Sequence, residues 1–135
     1  MTIDKKNAEL GWISLILRLA MGLMFAIAAA YKFIGGYQNA VSFIIGSVKG
    51  SFLPVWLVTI YAYVLPAAEA VIAVWLLAGF QLQAAWVFTA LTLVSLGLGL
   101  MAGQQSAADT YLFTLMACAG LYFSRYDNCC LGKSK

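Results

Sequence analysis

Residues 53–79 form an unbroken apolar run, PVWLVTIYAYVLPAAEAVIAVWLLAG after the opening leucine, and no other stretch limits the fold as strongly. A helix rising about 1.5 Å per residue crosses the roughly 30 Å of a bilayer's hydrocarbon in about 20 residues, so this run spans with tilt to spare. Its only ionisable carboxylate is Glu69. A charge at that depth costs roughly 2.5–3.5 kcal/mol on insertion scales, and residues carrying that cost face a partner or a cavity. Composition agrees with a membrane fold. Only 10% of the 135 residues are charged and 64% are hydrophobic, where a soluble domain carries about 25% charged residues.

The same composition closes off several functions. A formal net charge of +3 with no run of Lys and Arg gives nothing to follow a nucleic-acid backbone. The chain has no histidine. That removes the usual haem and copper ligand, the commonest zinc ligand and the commonest general base. No cofactor of its own and no metal site are expected, haem is disfavoured, and a quinone or a lipid is the remaining small-molecule possibility. The cysteines are Cys118, Cys129 and Cys130. Cys118 lies in an apolar run and reads as packing. Cys129 and Cys130 are adjacent in a polar tail without CxxC spacing, and reduced thiols, lipidation and redox sensing stay open. The ending GKSK lacks the prenylation pattern.

Three further spans follow from hydropathy, giving four in all at about residues 11–33, 54–79, 82–102 and 108–124. The first carries Lys5 and Lys6 ahead of it and Ala28–Ala30 within it, as a signal peptide would, but Arg18 interrupts the uncharged core such a peptide needs, so it reads as a retained helix. Gly11, Ser14, Arg18, Gly22, Phe25, Ala29 and Lys32 recur along it at steps of three or four, one stripe expected to face protein while the Leu, Ile, Met and Ala faces meet lipid. Residues 35–52 are too polar and too glycine-punctuated to span; within them, over about residues 37–48, Tyr37, Val41, Ile44 and Val48 share one helical face while Gln38, Ser42 and Lys49 lie off it, the pattern of a short amphipathic helix at the interface or of a re-entrant cap. Pro66 should kink the second span and release a carbonyl near position 62. The third span bears Thr89, Thr92, Ser95, Gly99 and Gly103, a small-residue packing stripe.

The expected architecture is therefore all-α: one integral membrane domain over residues 1–135, a four-helix bundle running up-down-up-down with an interfacial helix between the first two spans. Lys5, Lys6, Arg125, Lys133 and Lys135 lie in the two tails and the two short links carry no Lys or Arg. The positive-inside rule then places both termini in the cytoplasm, in a bacterial inner membrane. On that topology Arg18 is roughly 12 Å and Glu69 roughly 15 Å from the cytoplasmic side by helix rise, and a buried Arg18–Glu69 ion pair is expected. At the outer side Lys32 and Asp109 form a second candidate pair, although Lys32 can also reach water alone and Asp109 also suits a helix start.

Arg18-x-x-x-Gly22-x-x-Phe25 with Tyr31-Lys32-Phe33, then Pro66-x-x-Glu69 and Trp75-Leu76-Leu77-Ala78-Gly79, resembles the DoxX-like family of small four-helix membrane proteins over about residues 12–124. The resemblance implies company with redox enzymes: thiosulfate:quinone oxidoreductases and proteins that mature methylamine dehydrogenase are among that family's members. The chain departs from the pattern at Gln81 and Gln83, where many members are basic, and in lacking a histidine near the end of the third helix. A non-catalytic accessory subunit of a larger membrane redox or electron-transfer complex is the expected function, with the bilayer and other membrane subunits as partners and self-association also open. A quinone-binding oxidoreductase subunit with Arg18 and Glu69 near the quinone is the alternative. A small transporter is a third reading, disfavoured because four helices leave little room for a pore and no inverted repeat is visible.

Overall fold

The computed structural model describes residues 2–103 and 106–126, with residues 2–6 as backbone alone. The described residues are helical and joined by short links. In chain order they are α1 (Thr2–Ile34), α2 (Tyr37–Ser47), α3 (Val55–Ala78), α4 (Leu82–Ala102), α5 (Ala108–Phe123) and a closing 3-10 turn, Ser124–Tyr126. The tail bearing Cys129, Cys130, Lys133 and Lys135, and the side chains of Lys5 and Lys6, lie outside the described residues.

Three helices are long and apolar enough to cross a membrane: α1 over Asn7–Ile34, α3 over Val55–Ala78 and α4 over Leu82–Ala102. The fourth expected span is α5, whose 16 residues reach about 24 Å at about 1.5 Å per residue, short of the roughly 30 Å hydrocarbon core. α1 is longer than its expected span, because its polar start continues the helix to Thr2.

The four long helices pack in a ring in which α1 and α4 each touch both α3 and α5, while α2 lies against α1 and α3. α1 and α3 run antiparallel: Gly22 sits against Leu77, and ten residues later Lys32 meets Glu69. The expected α1 stripe faces inward, with Ser14, Arg18, Phe25 and Ala29 buried. Met21, expected toward lipid, is buried as well, since it shares the inward face with Arg18 and Phe25. The core joins Met21, Phe25, Ile72, Leu76, Trp86, Leu93 and Ala117.

Outward faces are apolar too. Ile16, Leu23, Ile27, Val64, Val74, Leu91, Leu98, Leu112 and Leu115 are all more than half exposed. A water-soluble surface does not present apolar side chains in such number around several helices, whereas a lipid-facing one does. α2 has the expected asymmetry, with Val41 buried and Gln38, Ser42 and Lys49 exposed. Glycines with positive φ bound it, Gly36 (φ 96°) before and Gly50 (φ 91°) after, where a residue with a Cβ would be strained.

The small-residue stripes divide on inspection. Gly22 permits real close packing, because a Cβ there would stand 2.9 Å from the Leu77 side chain. Gly103 likewise lets the end of α4 approach the carbonyl of Ser47 at the end of α2. Gly99 has open space around it, so Gly99-x-x-x-Gly103 is not a helix-packing motif here. Gly120 in α5 seats a side chain, since a Cβ there would lie 2.4 Å from the indole of fully buried Trp86.

Candidate functional site

A set of polar contacts between helices converges on one segment of α3, between Tyr61 and Glu69, while Ser14, Arg18, Thr89, Thr110 and Ser124 are buried on other elements. Glu69 is buried, and Lys32 Nζ donates to both of its carboxylate oxygens at 2.5 Å. The side chain of Lys32 retains 26% exposure against 5% for Glu69. That asymmetry follows from position. Lys32 stands two residues from the end of α1, so its ammonium can serve the carboxylate while the flexible stem keeps one side near the surface. Glu69 sits far inside α3, where an unpaired charge would be costly.

Glu69 therefore pairs with Lys32, and the expected Arg18–Glu69 and Lys32–Asp109 pairs do not form. The reason is helix register. The Gly22–Leu77 and Lys32–Glu69 contacts extrapolate to place Arg18 level with roughly residues 81–83, beside the start of α4. Arg18 is 14 residues before Lys32 on the same helix, roughly 21 Å away by helix rise. An Arg18–Glu69 pair requires the start of α1 and the end of α3 to be level. In the fold α3 extends past the end of α1, and α2 packs against α3 there. Asp109 is exposed in the first turn of α5, the place a helix N-terminus favours for an acid. Arg18 and Glu69 thus do not share one site. Arg18 stays buried on α1, near the end where α1 meets the 3-10 turn.

Two more ties converge on the same segment. Tyr61 and Ser95 hydroxyls lie 3.0 Å apart, and Ser95 donates at 2.8 Å to the carbonyl of Thr92. Because the single Ser95 proton is committed to Thr92, Tyr61 is the donor to Ser95. This links α3 to α4 within electrostatic reach of Glu69. The Tyr37 hydroxyl of α2 donates to the backbone carbonyl of Tyr63, and the Tyr63 hydroxyl donates to Gln38 at 3.3 Å. Pro66 lies inside α3 within one turn after Tyr63, and its ring removes the N–H that would bond to the carbonyl of residue 62. Ser95 in this stripe is thus a hydrogen-bonding residue, not only a small one.

Sequence reasoning missed Tyr61 as a helix-joining donor and Gly120 as the seat of Trp86. It also placed Cys118 in the packing, whereas Cys118 is exposed. Among the described residues no group of three His, Cys, Asp or Glu side chains stands close enough to hold a metal ion. Chemically, the site offers one carboxylate held by one ammonium, with a tyrosine hydroxyl already donating to a neighbour.

Residues 10–111 match the family model described as methylamine utilisation protein MauE. The match takes in α1 to α4, and with them Lys32, Glu69, Tyr61 and Ser95, and it names MauE where the sequence motifs resembled DoxX. No curated protein and no solved structure matches the chain.

Proposed function

The chain belongs to the MauE family, and on that premise we propose that it is a non-catalytic accessory subunit of a larger membrane redox assembly. In this reading it lies in a bacterial inner membrane with both termini in the cytoplasm, α5 completes a bundle of four spanning helices, and α2 rests at the interface. Methylamine utilisation is oxidative chemistry, and a small helical membrane protein named for it works beside proteins that carry the redox centres. The observation that supports an accessory role is the use made of Glu69. Its two oxygens are both taken by Lys32, and the neighbouring hydroxyls of Tyr61, Ser95 and Tyr37 join one helix to another. Groups so committed hold helices together.

The test is to tag the full chain, solubilise it in mild detergent, and identify what co-purifies by mass spectrometry while recording the visible spectrum. The expected outcome is stoichiometric recovery of larger subunits and no chromophore on the chain itself. A monodisperse lone protein carrying a flavin or haem band would overturn the reading. In the same assay a Lys32→Glu, Glu69→Lys double exchange should assemble, whereas either single exchange should not.

A further inference from the structure

At the end of the molecule away from Glu69, a cleft of about 690 Å³ opens between the close of α3, the start of α4 and the close of α5. That volume lies in the roughly 300–1,000 Å³ range of small-molecule sites. Its walls are apolar and aromatic: Trp75, Val87, Phe88, Leu121 and Tyr122, with Cys118 among them and Ala84 leaving room. Its polar lining is Gln83 and Arg125. Both are exposed, Gln83 in the first turn of α4 and Arg125 in the 3-10 turn after α5, so they lie at the cleft's outer end in the helix order. The Trp75 indole is held by a 2.6 Å hydrogen bond to the carbonyl of Phe80 and tilts against Phe88, which fixes one wall.

We propose that this cleft binds an anionic phospholipid of the surrounding bilayer, with one acyl chain along Val87, Phe88 and Leu121 and the phosphate at Arg125 and Gln83. Three observations select that occupant. Val87 (45%), Phe88 (40%) and Tyr122 (60%) are exposed on the outer face, so the cleft opens sideways to lipid. The apolar lining suits a hydrocarbon chain, and water in it would find few partners. Arg125 gives the end of the cleft a fixed positive charge and planar donors for phosphate oxygens. Basic pockets between spanning helices near a membrane surface bind acidic head groups in this way. The inference needs the chain to span a bilayer and is independent of the accessory role.

The full chain is reconstituted into phosphatidylcholine bilayers with or without a minor fraction of phosphatidylglycerol. Lipid retained after gentle extraction is counted by native mass spectrometry, and alkylation of Cys118 by a membrane-permeant maleimide is followed by peptide mapping. The expected result is one retained phosphatidylglycerol, preferred over phosphatidylcholine about fivefold, the factor that one basic side chain's roughly 1 kcal/mol at a membrane surface corresponds to. Cys118 should be alkylated more slowly when phosphatidylglycerol is present. Arg125→Gln, at an exposed position, should abolish the preference while an acyl chain is still retained. Ala84→Trp should fill the cleft and abolish retention of either lipid. Equal retention of the two lipids by the unaltered chain, undiminished preference in Arg125→Gln, or alkylation of Cys118 at the same rate with and without phosphatidylglycerol would each overturn the proposal.

Discussion

The two ends of the bundle are joined by different physics. Toward α2, the segment of α3 from Tyr61 to Glu69 is tied to α1, α2 and α4 by polar contacts: Lys32 to Glu69, Tyr37 to the Tyr63 carbonyl, Tyr61 to Ser95. Toward the 3-10 turn, glycines set the fit: Gly22 admits Leu77, and Gly120 admits the indole of Trp86. The polar end depends on which chemical groups are present and tolerates some change in volume. The glycine contacts depend on volume, although the buried charge of Arg18 lies toward that end too. In a bilayer, where lipid competes as well as any leucine for an apolar surface, shape and internal polarity are the two means of holding helices together, and this chain uses both.

The largest effect should come from the polar end. Removing one partner of a buried pair leaves an uncompensated charge, which costs about 3–5 kcal/mol, whereas replacing both by apolar residues is close to neutral. Lys32→Met, which leaves the buried Glu69 carboxylate unpaired, should therefore depress thermal stability in detergent strongly, and Lys32→Met with Glu69→Leu should recover most of the loss. If the double variant is no better than the single, Lys32 is not the group that stabilises Glu69. At the glycine end, Gly120→Val should cost about 1–3 kcal/mol by overpacking, and the fluorescence of Trp86 should shift as the indole is displaced. Restoring stability with Trp86→Leu in the same chain would show that volume alone is at issue there; a charged rescue would blur the distinction.

Smaller effects refine the contrast. Tyr61→Phe removes a hydrogen bond between spanning helices, a type that averages about 0.6 kcal/mol, so a modest loss of melting temperature is expected and a large one would make Tyr61 part of the charge pair. Smallest of all, Gly99→Ala meets nothing within 4 Å. It should be neutral or stabilise slightly, by up to about 1 kcal/mol through helix propensity; destabilisation would restore Gly99 as a packing residue.

What could be read from the chain was what a single helix displays. The inward stripe of α1 is a property of 3.6-residue periodicity, and Ser14, Arg18, Gly22, Phe25 and Ala29 are buried as the spacing requires. The α2 face was legible for the same reason. The partner of Glu69 was not, because it depends on the offset between two helices. That offset is set by where α1 stops and by α2 packing beside the overhanging start of α3, neither of which leaves a periodic mark. Gly120 lies in the apolar stretch Ala117-Cys118-Ala119-Gly120, where a glycine that seats a tryptophan looks like any other small residue. Gly99 shows the converse, a motif spacing with nothing packed on it, while Gly103 approaches the Ser47 backbone by itself.

The placement of Lys32 near a helix end and of Glu69 deep in a later helix has a consequence for how the chain enters a membrane. Synthesis runs from the N-terminus, so α1 must settle in lipid before α3 exists. Its lysine can wait there, because a stem so close to the helix end lets the ammonium reach water. The carboxylate, which has no such escape, arrives second and finds its counter-ion already in position. Were the deeply buried charge on α1 instead, it would lack its partner until α3 was made. The pair thus suits the making of the protein as well as its finished form.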